Sequence, residues 1–306
     1  MLLTLAWHTV TINRRKMQYI TQQYRQHEFA QSGVALLQAK LTPPSGKEQK
    51  PEEEYAHLFN SMLATEQYAL NKQVDHMDTT LTMRFGSELG KLNINSLYDF
   101  VEKKFIKPEY EKTLEWICDT AAGITQTVSI AQPLKDFLKN RDYEINDIVE
   151  LLSVPEIAQA WNDKFFLPFD MPEKPLYLAD IFTVSTLHEG VSVWWLSPSF
   201  MTLLNLEHPA KMEEQELQNF IQKLTDGFNT WNEKTWDNCL AGLYKKKYAD
   251  LAQDIKSILT SLNKANIFSL LLKAKQHDDS AMIYAIGQSS TKQHLIAFDI
   301  IKLYQV

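Results

Sequence analysis

Residues 267–303, IFSLLLKAKQHDDSAMIYAIGQSSTKQHLIAFDIIKL, contain three apolar runs separated by short polar turns. The runs cover 267–275, 281–288 and 294–303. Each run has the length of an ordinary β-strand, and each joining segment is rich in residues that favour turns. The stretch therefore predicts three antiparallel strands connected as a meander.

A second strand-like stretch lies much earlier in the chain. Leu81, Met83 and Phe85 alternate with polar residues, and a turn-prone segment, 86–90, separates them from residues 91–95. This pattern predicts a β-hairpin. Between this hairpin and the three final strands, the apolar residues recur at helical spacing. Helices are expected near 97–105, 110–118, 144–152, 212–228 and 248–262. One sheet interrupted by an insertion explains this order, with parts at 1–95, 96–263 and 264–306.

The N-terminal segment predicts a long helix. Residues 12–41 place apolar side chains near one stripe, which would pack on a sheet or on partner helices: Ile20, Tyr24, Val34, Leu37 and Leu41. Pro43 and Pro44 end this helix, and 53–70 is expected to add a helical piece. The predicted fold class is α+β, with a long N-terminal helix on an antiparallel sheet and a large inserted α-helical domain.

Residues 1–12, MLLTLAWHTVTI, form an apolar run that continues into the basic cluster 14–16. As a helix the run would span about 18 Å, which is shorter than the roughly 30 Å hydrocarbon core of a bilayer. Two interpretations remain open on these residues: a soluble amphipathic first helix, or the rear part of a membrane anchor. The second predicts further apolar residues upstream of Met1.

Composition narrows the possible functions. The net charge of −7 argues against a nucleic-acid binder that works by phosphate neutralisation. The two cysteines, Cys118 and Cys239, are too far apart in sequence for a metal-type pair, and either a disulfide or two buried thiols is compatible with the sequence. The Trp194-Trp195 pair is expected to lie in a strand, with one ring in the core and the other facing outward.

Motifs that carry chemistry are sparse. His188-Glu189 lacks the second histidine of a zincin helix, and no Gly-x-Ser-x-Gly elbow is present, so we predict no catalytic residues. Asp278 and Asp279, on the predicted turn, are weak calcium-ligand candidates, and a solvated turn is the favoured interpretation of the pair. We assign no cofactor.

Four segments resemble the K minor pseudopilin family of the bacterial type II (general) secretion pathway. Residues 88–97, ELGKLNINSL, are similar to the family pattern E-x-G-K-hydrophobic-N-hydrophobic-N-x-L and form the most specific match. Residues 14–41, with the small-residue segment 30–35, resemble the helix that follows a pilin anchor. The third match comprises 178–184 with 191–193 and 197–198, and the fourth comprises the terminal strands.

The resemblance implies a pilin-like fold and a non-enzymatic role at or near the tip of a pseudopilus. It also implies partners, namely the I- and J-type minor pseudopilins and the major pseudopilin. By resemblance, a single N-terminal anchor would hold the chain in the bacterial inner membrane with its bulk in the periplasm, and calcium would be a possible ligand. The alternatives are a minor pilin of a type IV pilus, competence or adhesion system, and a secreted effector or enzyme that uses the helical block.

Overall fold

The structure is a computed structural model of the 306-residue chain, and its chain path divides into two compact units. One unit comprises 1–43, 65–84 and 270–306, and the other comprises 44–64 and 85–269. The residues that the structure describes are 14–17, 28, 31–33, 35–36, 59–60, 66–72, 77–185, 189–209, 212–225, 231–261, 267–276, 279–292 and 295–305.

A five-stranded sheet draws its strands from both ends of the described chain. Its strands are β1 (Glu66–Lys72), β2 (Met77–Ser87), β9 (Ile267–Gln276), β10 (Asp279–Lys292) and β11 (Leu295–Gln305). The spatial order is β1-β2-β9-β10-β11, so β2 and β9 are neighbours although 88–266 separate them. The prediction of one sheet split by an insertion is therefore confirmed.

The pairing at the two edges of this sheet is antiparallel. Glu66 faces Met83 at one end of the β1–β2 register, and Ile283 faces Gln305 in β10–β11, whose register shifts between Ile286 and Gly287. The three C-terminal strands were predicted from their apolar runs, and the structure confirms all three. The alternating side chains of β2 are also buried as expected, with Leu81, Met83 and Phe85 at most 5% exposed.

The larger unit is mainly helical. Its α-helices are α1 (Pro108–Thr125), α2 (Ala131–Lys139), α3 (Pro155–Trp161), α4 (Leu178–Ile181), α5 (Pro198–Leu203), α6 (Glu214–Thr225), α7 (Glu233–Tyr244) and α8 (Gln253–Lys256). Short 3-10 helices cover Glu88–Gly90, Ile94–Ser96, Ile148–Ser153, Asn162–Lys164 and Tyr248–Asp250. Two-residue strands are β3 (Leu92–Asn93), β4 (Tyr98–Asp99), β5 (Lys104–Phe105), β6 (Phe182–Thr183), β7 (Val191–Ser192) and β8 (Leu259–Thr260).

Two predictions around residue 90 are wrong. β2 pairs with β1 and β9, not with 91–95, and β3 pairs instead with the distant β6, so the expected hairpin does not exist. Residues 97–105 form the β4–β5 hairpin, not a helix. The cause is Asp99, whose carboxylate accepts hydrogen bonds of 2.9 Å from the backbone N–H groups of Val101 and Glu102 and closes a turn.

Other helix predictions succeed in part. The segments 110–118 and 212–228 coincide with α1 and α6, whereas 144–152 holds a 3-10 helix. In place of the expected helix 248–262, the described residues 248–261 contain a 3-10 helix, α8 and β8. Of the helical piece expected at 53–70, residues 59–60 are helical and 66–70 belong to β1, whereas 53–58 and 61–65 lie outside the described residues.

Several described residues of the N-terminal segment are helical, namely 14–17, 28, 31–33 and 35–36. This segment contacts the sheet at Gly33, which is buried. A Cβ atom at Gly33 would lie 2.6 Å from one methyl group of Leu272 in β9 and 2.8 Å from the other. The absence of a side chain thus permits close packing of helix on sheet. Among the described helices, none is both long and apolar enough to cross a membrane.

Candidate functional site

The most specific sequence motif begins with a buried ion pair. Ser87 caps the 3-10 helix 88–90 by accepting a hydrogen bond from the N–H of Leu89. Lys91 then turns back, and its ammonium group lies 2.5 Å from the carboxylate of Glu88, with both side chains 2% exposed. The other carboxylate oxygen of Glu88 accepts a 2.5 Å hydrogen bond from the hydroxyl of Thr183. The carboxylate of Glu88 therefore links the motif to the segment that carries Thr183, and Lys91 neutralises its charge.

The same two segments are joined by a backbone ladder. β3 and β6 run parallel, with Leu92 opposite Phe182 and Asn93 opposite Thr183. Further along the motif, Asn95 exchanges two 2.9 Å hydrogen bonds with the backbone N–H and carbonyl of Ile145. The motif asparagine therefore anchors a third region of the helical unit.

Asp180 and Ser197 complete this arrangement. Ser197 donates its hydroxyl to the backbone carbonyl of Asp180, and the Asp180 carboxylate accepts a 2.8 Å hydrogen bond from the N–H of Ser199. The N–H of Ser197 also donates to the carbonyl of Gly90, at 3.2 Å. Burial raises the pKa of Asp180, while nearby Lys91 partly opposes this shift.

We call Glu88, Gly90, Lys91, Asp180, Thr183 and Ser197 the motif cluster. Its charged groups are buried and paired, and its hydroxyls donate to neighbouring oxygens. Buried charges of this kind are tolerated only where partners surround them, and such networks fix one arrangement of the segments that carry them. The cluster is suited to holding 88–97, 178–184 and 197–199 in a fixed arrangement.

Trp194 and Trp195 differ from the prediction, because both rings are buried, at 4% and 2% exposed. The pair follows β7 and lies in a turn, so the two side chains need not point to opposite faces of a sheet. Trp194 packs edge-on against Phe220 and Trp231, with ring centroids 6.4 and 5.7 Å away. The hydroxyl of Tyr244 donates to the carbonyl of Val193 at 2.6 Å and closes this region of the core.

An open groove of about 720 Å³ lies on the helical unit, between α2 and the start of α3. Its lining includes Pro133, Asp136, Phe137, Tyr143, Pro155 and Glu156, and we call it the 132–156 groove. Arg141 supports it: the guanidinium lies 4.9 Å from the ring centroid of Phe137 and 4.7 Å from that of Tyr143. No pattern in the sequence predicted this surface; its signals were two prolines and two aromatic residues spread over 132–156.

A capping box holds the loop that carries Arg141. The N–H of Val149 donates to Asp147, and the N–H of Asp147 donates to Glu150 at 2.9 Å. Glu150 also accepts a 2.6 Å hydrogen bond from Arg141. Burial opposes ionisation of Glu150, but the hydrogen bonds from Arg141 and the backbone outweigh it, and the pKa lies below its ordinary value.

Of the residues predicted for assembly or calcium binding, the structure describes Asp279 alone. Ile20, Tyr24, Val34, Leu37, Leu41 and Asp278 lie outside the described residues. Asp279 begins β10. Within the described part of the chain, no three of His, Cys, Asp and Glu converge as metal ligands. Cys118 and Cys239 are free and buried.

Comparisons with known proteins give a likeness in structure. No family model matches the chain, and no curated protein matches it in sequence. A matching solved chain comes from the crystal structure of the GspK-GspI-GspJ complex from the enterotoxigenic Escherichia coli Type 2 Secretion System. The alignment has a TM-score of 0.49 and 12% identity, and it covers 96% of this chain and 99% of that chain. At this identity, the likeness says nothing about individual residues.

Proposed function

We propose that the protein is a structural subunit of a pseudopilus, specifically a K-type minor pseudopilin of a type II secretion system. The motif cluster is the observation that carries the proposal. The internal segments that resemble this family, 88–97, 178–184 and 197–198, are distant in sequence, yet they share hydrogen bonds and a parallel strand pair. Matched segments that lie together in one hydrogen-bonded cluster support the proposed family more strongly than separate short matches would.

The architecture supports the same role. A helical segment packs at Gly33 against the split sheet, and residues 88–266 intervene between β2 and β9. In a pseudopilus, the N-terminal helix would lie among the helices of neighbouring subunits. The helical unit would add bulk to the subunit, which suits a tip position better than a repeating one. We propose no catalytic activity and no resident cofactor for this role.

The proposed location follows from the same assignment. The apolar run 1–12 would belong to a pilin anchor in the inner membrane, and the cluster 14–16 would mark the point where the helix enters the periplasm. The proposed partners are the I- and J-type minor pseudopilins and the major pseudopilin.

Co-purification tests this proposal directly. The tagged chain is co-expressed with the I- and J-type minor pseudopilins encoded in the same secretion gene cluster, and in parallel with minor pilins of a type IV system from the same genome. We expect a stable complex with the first set alone at micromolar concentration. Absence of that complex, or a complex with the type IV proteins instead, would overturn the assignment.

A further inference from the structure

We propose that the 132–156 groove binds an extended, positively charged segment of a partner protein, with proline or other apolar residues between its cations. The site is additional to the proposed pseudopilus role and does not depend on it. Two features of the groove point to such a partner: carboxylates without a cation, and aromatic and proline side chains in its lining.

The carboxylates of Asp136 and Glu156 are exposed and lie on opposite sides of the groove, in α2 and α3. Among the described residues, neither forms an ion pair. The Asp136 carboxylate accepts one hydrogen bond, of 2.8 Å, from the side chain of Gln132.

The remaining charges of the groove are already compensated. Arg141 pairs with Glu150, and Lys103 lies 2.6 Å from the Asp142 carboxylate. The hydrogen bond from Lys103 holds the pKa of Asp142 below its ordinary value. The unmatched charge of the groove is therefore negative, and it favours a partner that brings Lys or Arg.

Aromatic and proline side chains form the floor of the groove. Tyr143 is 62% exposed, and the stacked guanidinium of Arg141 holds its ring in place. Pro133 and Pro155 are among the lining residues, and neither has a backbone N–H to donate to a partner. Rigid aromatic surfaces of this kind accept extended polyproline-type segments, which lose little conformational entropy on binding.

A neighbouring hairpin extends this apolar surface. The ammonium of Lys103 donates to the backbone carbonyl of Arg141, which brings the β4–β5 tip against the loop that holds Tyr143. Val101 at this tip is 85% exposed. A large apolar side chain with that exposure is available to an extended ligand that continues beyond the groove.

Fluorescence anisotropy with the full chain tests the proposal. The probe is a fluorescein-labelled peptide of Lys-Pro-Leu-Pro repeats, and the control peptide has Glu in place of each Lys. We expect saturable binding of the lysine peptide, and Asp136→Asn/Glu156→Gln is expected to weaken it about three- to tenfold, since exposed ion pairs are individually weak. Tyr143→Ala is expected to weaken binding independently of charge.

The matched control is Asp163→Asn/Glu173→Gln, which changes the same charge at exposed residues outside the groove. This pair is expected to leave binding of the lysine peptide unchanged. The proposal is overturned if the lysine peptide does not saturate, if the glutamate peptide binds equally well, or if the control pair weakens binding as much. Dimerisation of the chain that Asp136→Asn/Glu156→Gln abolishes would assign the groove to a second copy. Failure here would leave the co-purification with minor pseudopilins intact.

Discussion

The carbonyl oxygen of Trp195 occupies the space in which a Cβ atom on Gly90 would have to lie. The carbonyl of Gly90 in turn accepts a hydrogen bond from the N–H of Ser197. Two chain segments therefore meet backbone to backbone, and only glycine allows this approach. Packing requires the glycine of the motif, since Gly90 does not adopt a positive φ angle.

We expect Gly90→Ala to lower the free energy of unfolding by at least about 2 kcal/mol, because a backbone carbonyl cannot move aside as a flexible side chain can. Gly123→Ala is the matched control. Gly123 is exposed within α1 with no atom near the added methyl group, so alanine is expected to stabilise the helix by about 0.5–1 kcal/mol. Urea denaturation of both variants checks the prediction, and equal effects would contradict it.

Replacing Lys91 with methionine leaves the Glu88 carboxylate buried without its cation. We expect Lys91→Met to cost about 3–5 kcal/mol of stability. The double variant Glu88→Gln/Lys91→Met removes both charges and retains an oxygen that can accept from Thr183. It is therefore expected to recover most of the loss in the same urea titration. A double variant no more stable than the single one would show that the ion pair is not the cause.

Asp180 gives a pH-dependent prediction. Because burial raises its pKa, the folded protein retains this proton to higher pH than the unfolded chain does. Its contribution to folding is thus largest at low pH and is lost as pH rises through the folded-state pKa. Asp180→Asn cannot ionise but can still accept from Ser199. The stability of this variant relative to wild type should rise as the pH increases above about 3.9, the pKa of aspartate in the unfolded chain. The difference should level off above the folded-state pKa of Asp180. Chemical denaturation across pH measures this difference, and a relative stability that falls with pH would refute the prediction.

Gly33 sets the distance between the N-terminal helical segment and the sheet. Gly33→Leu is expected to lower stability by about 1–3 kcal/mol, because the added side chain competes with buried Leu272 for the same volume. Gly33→Ala should be close to neutral, since the Leu272 methyl groups can shift and alanine favours the helix. Thermal unfolding of the two variants provides the comparison. Wild-type stability in Gly33→Leu would mean that this helix–sheet contact contributes little.

The two thiols are expected to be unreactive in the folded protein. Cys118 is 2% exposed and Cys239 is not exposed, and burial raises the pKa of both. A thiol-specific chromogenic reagent should therefore label neither residue at mildly alkaline pH and label both in denaturant. Rapid labelling of the native chain would contradict their burial, and an absence of thiols in denaturant would indicate a disulfide.

Sequence reasoning succeeded where a pattern was long. The strands β9, β10 and β11 are ten or more residues long, and an apolar run fills most of each, so neighbouring positions reinforce the same pattern. The separation of β2 from β9 by a helical block was also predictable, because the hydrophobic periodicity changes from strand-like to helical and back again along the chain. The first half of α1 was recognised for the same reason, since the prediction covered 110–118 of a helix that runs from Pro108 to Thr125.

Short elements could not be predicted in this way. β3 contains two residues, and its partner β6 lies about 90 positions further along the chain, so local alternation carries no information about the pairing. The helix expected at 97–105 failed because a single carboxylate, that of Asp99, outweighed helix propensity. Local propensity is a weak prior whenever one side-chain hydrogen bond closes a turn.

The motif cluster was visible only through resemblance. Nothing in the spacing of Glu88 and Lys91 distinguishes a buried pair from an exposed turn, and the burial depends on Thr183 and Asp180 arriving from elsewhere. The groove was missed because its residues come from two helices and the loop between them.

The neighbouring positions of β2 and β9 have a consequence for biogenesis. On the ribosome, β2 is made directly after its neighbour β1, but residues 88–266 must be translated before its second neighbour, β9, exists. During that interval its edge is an open template for pairing with other nascent chains. The helical unit, with many contacts close in sequence, is expected to fold first, so completion of the sheet is the late step in maturation. Strand β9, which is synthesised late, thereby continues the sheet that β2 began much earlier.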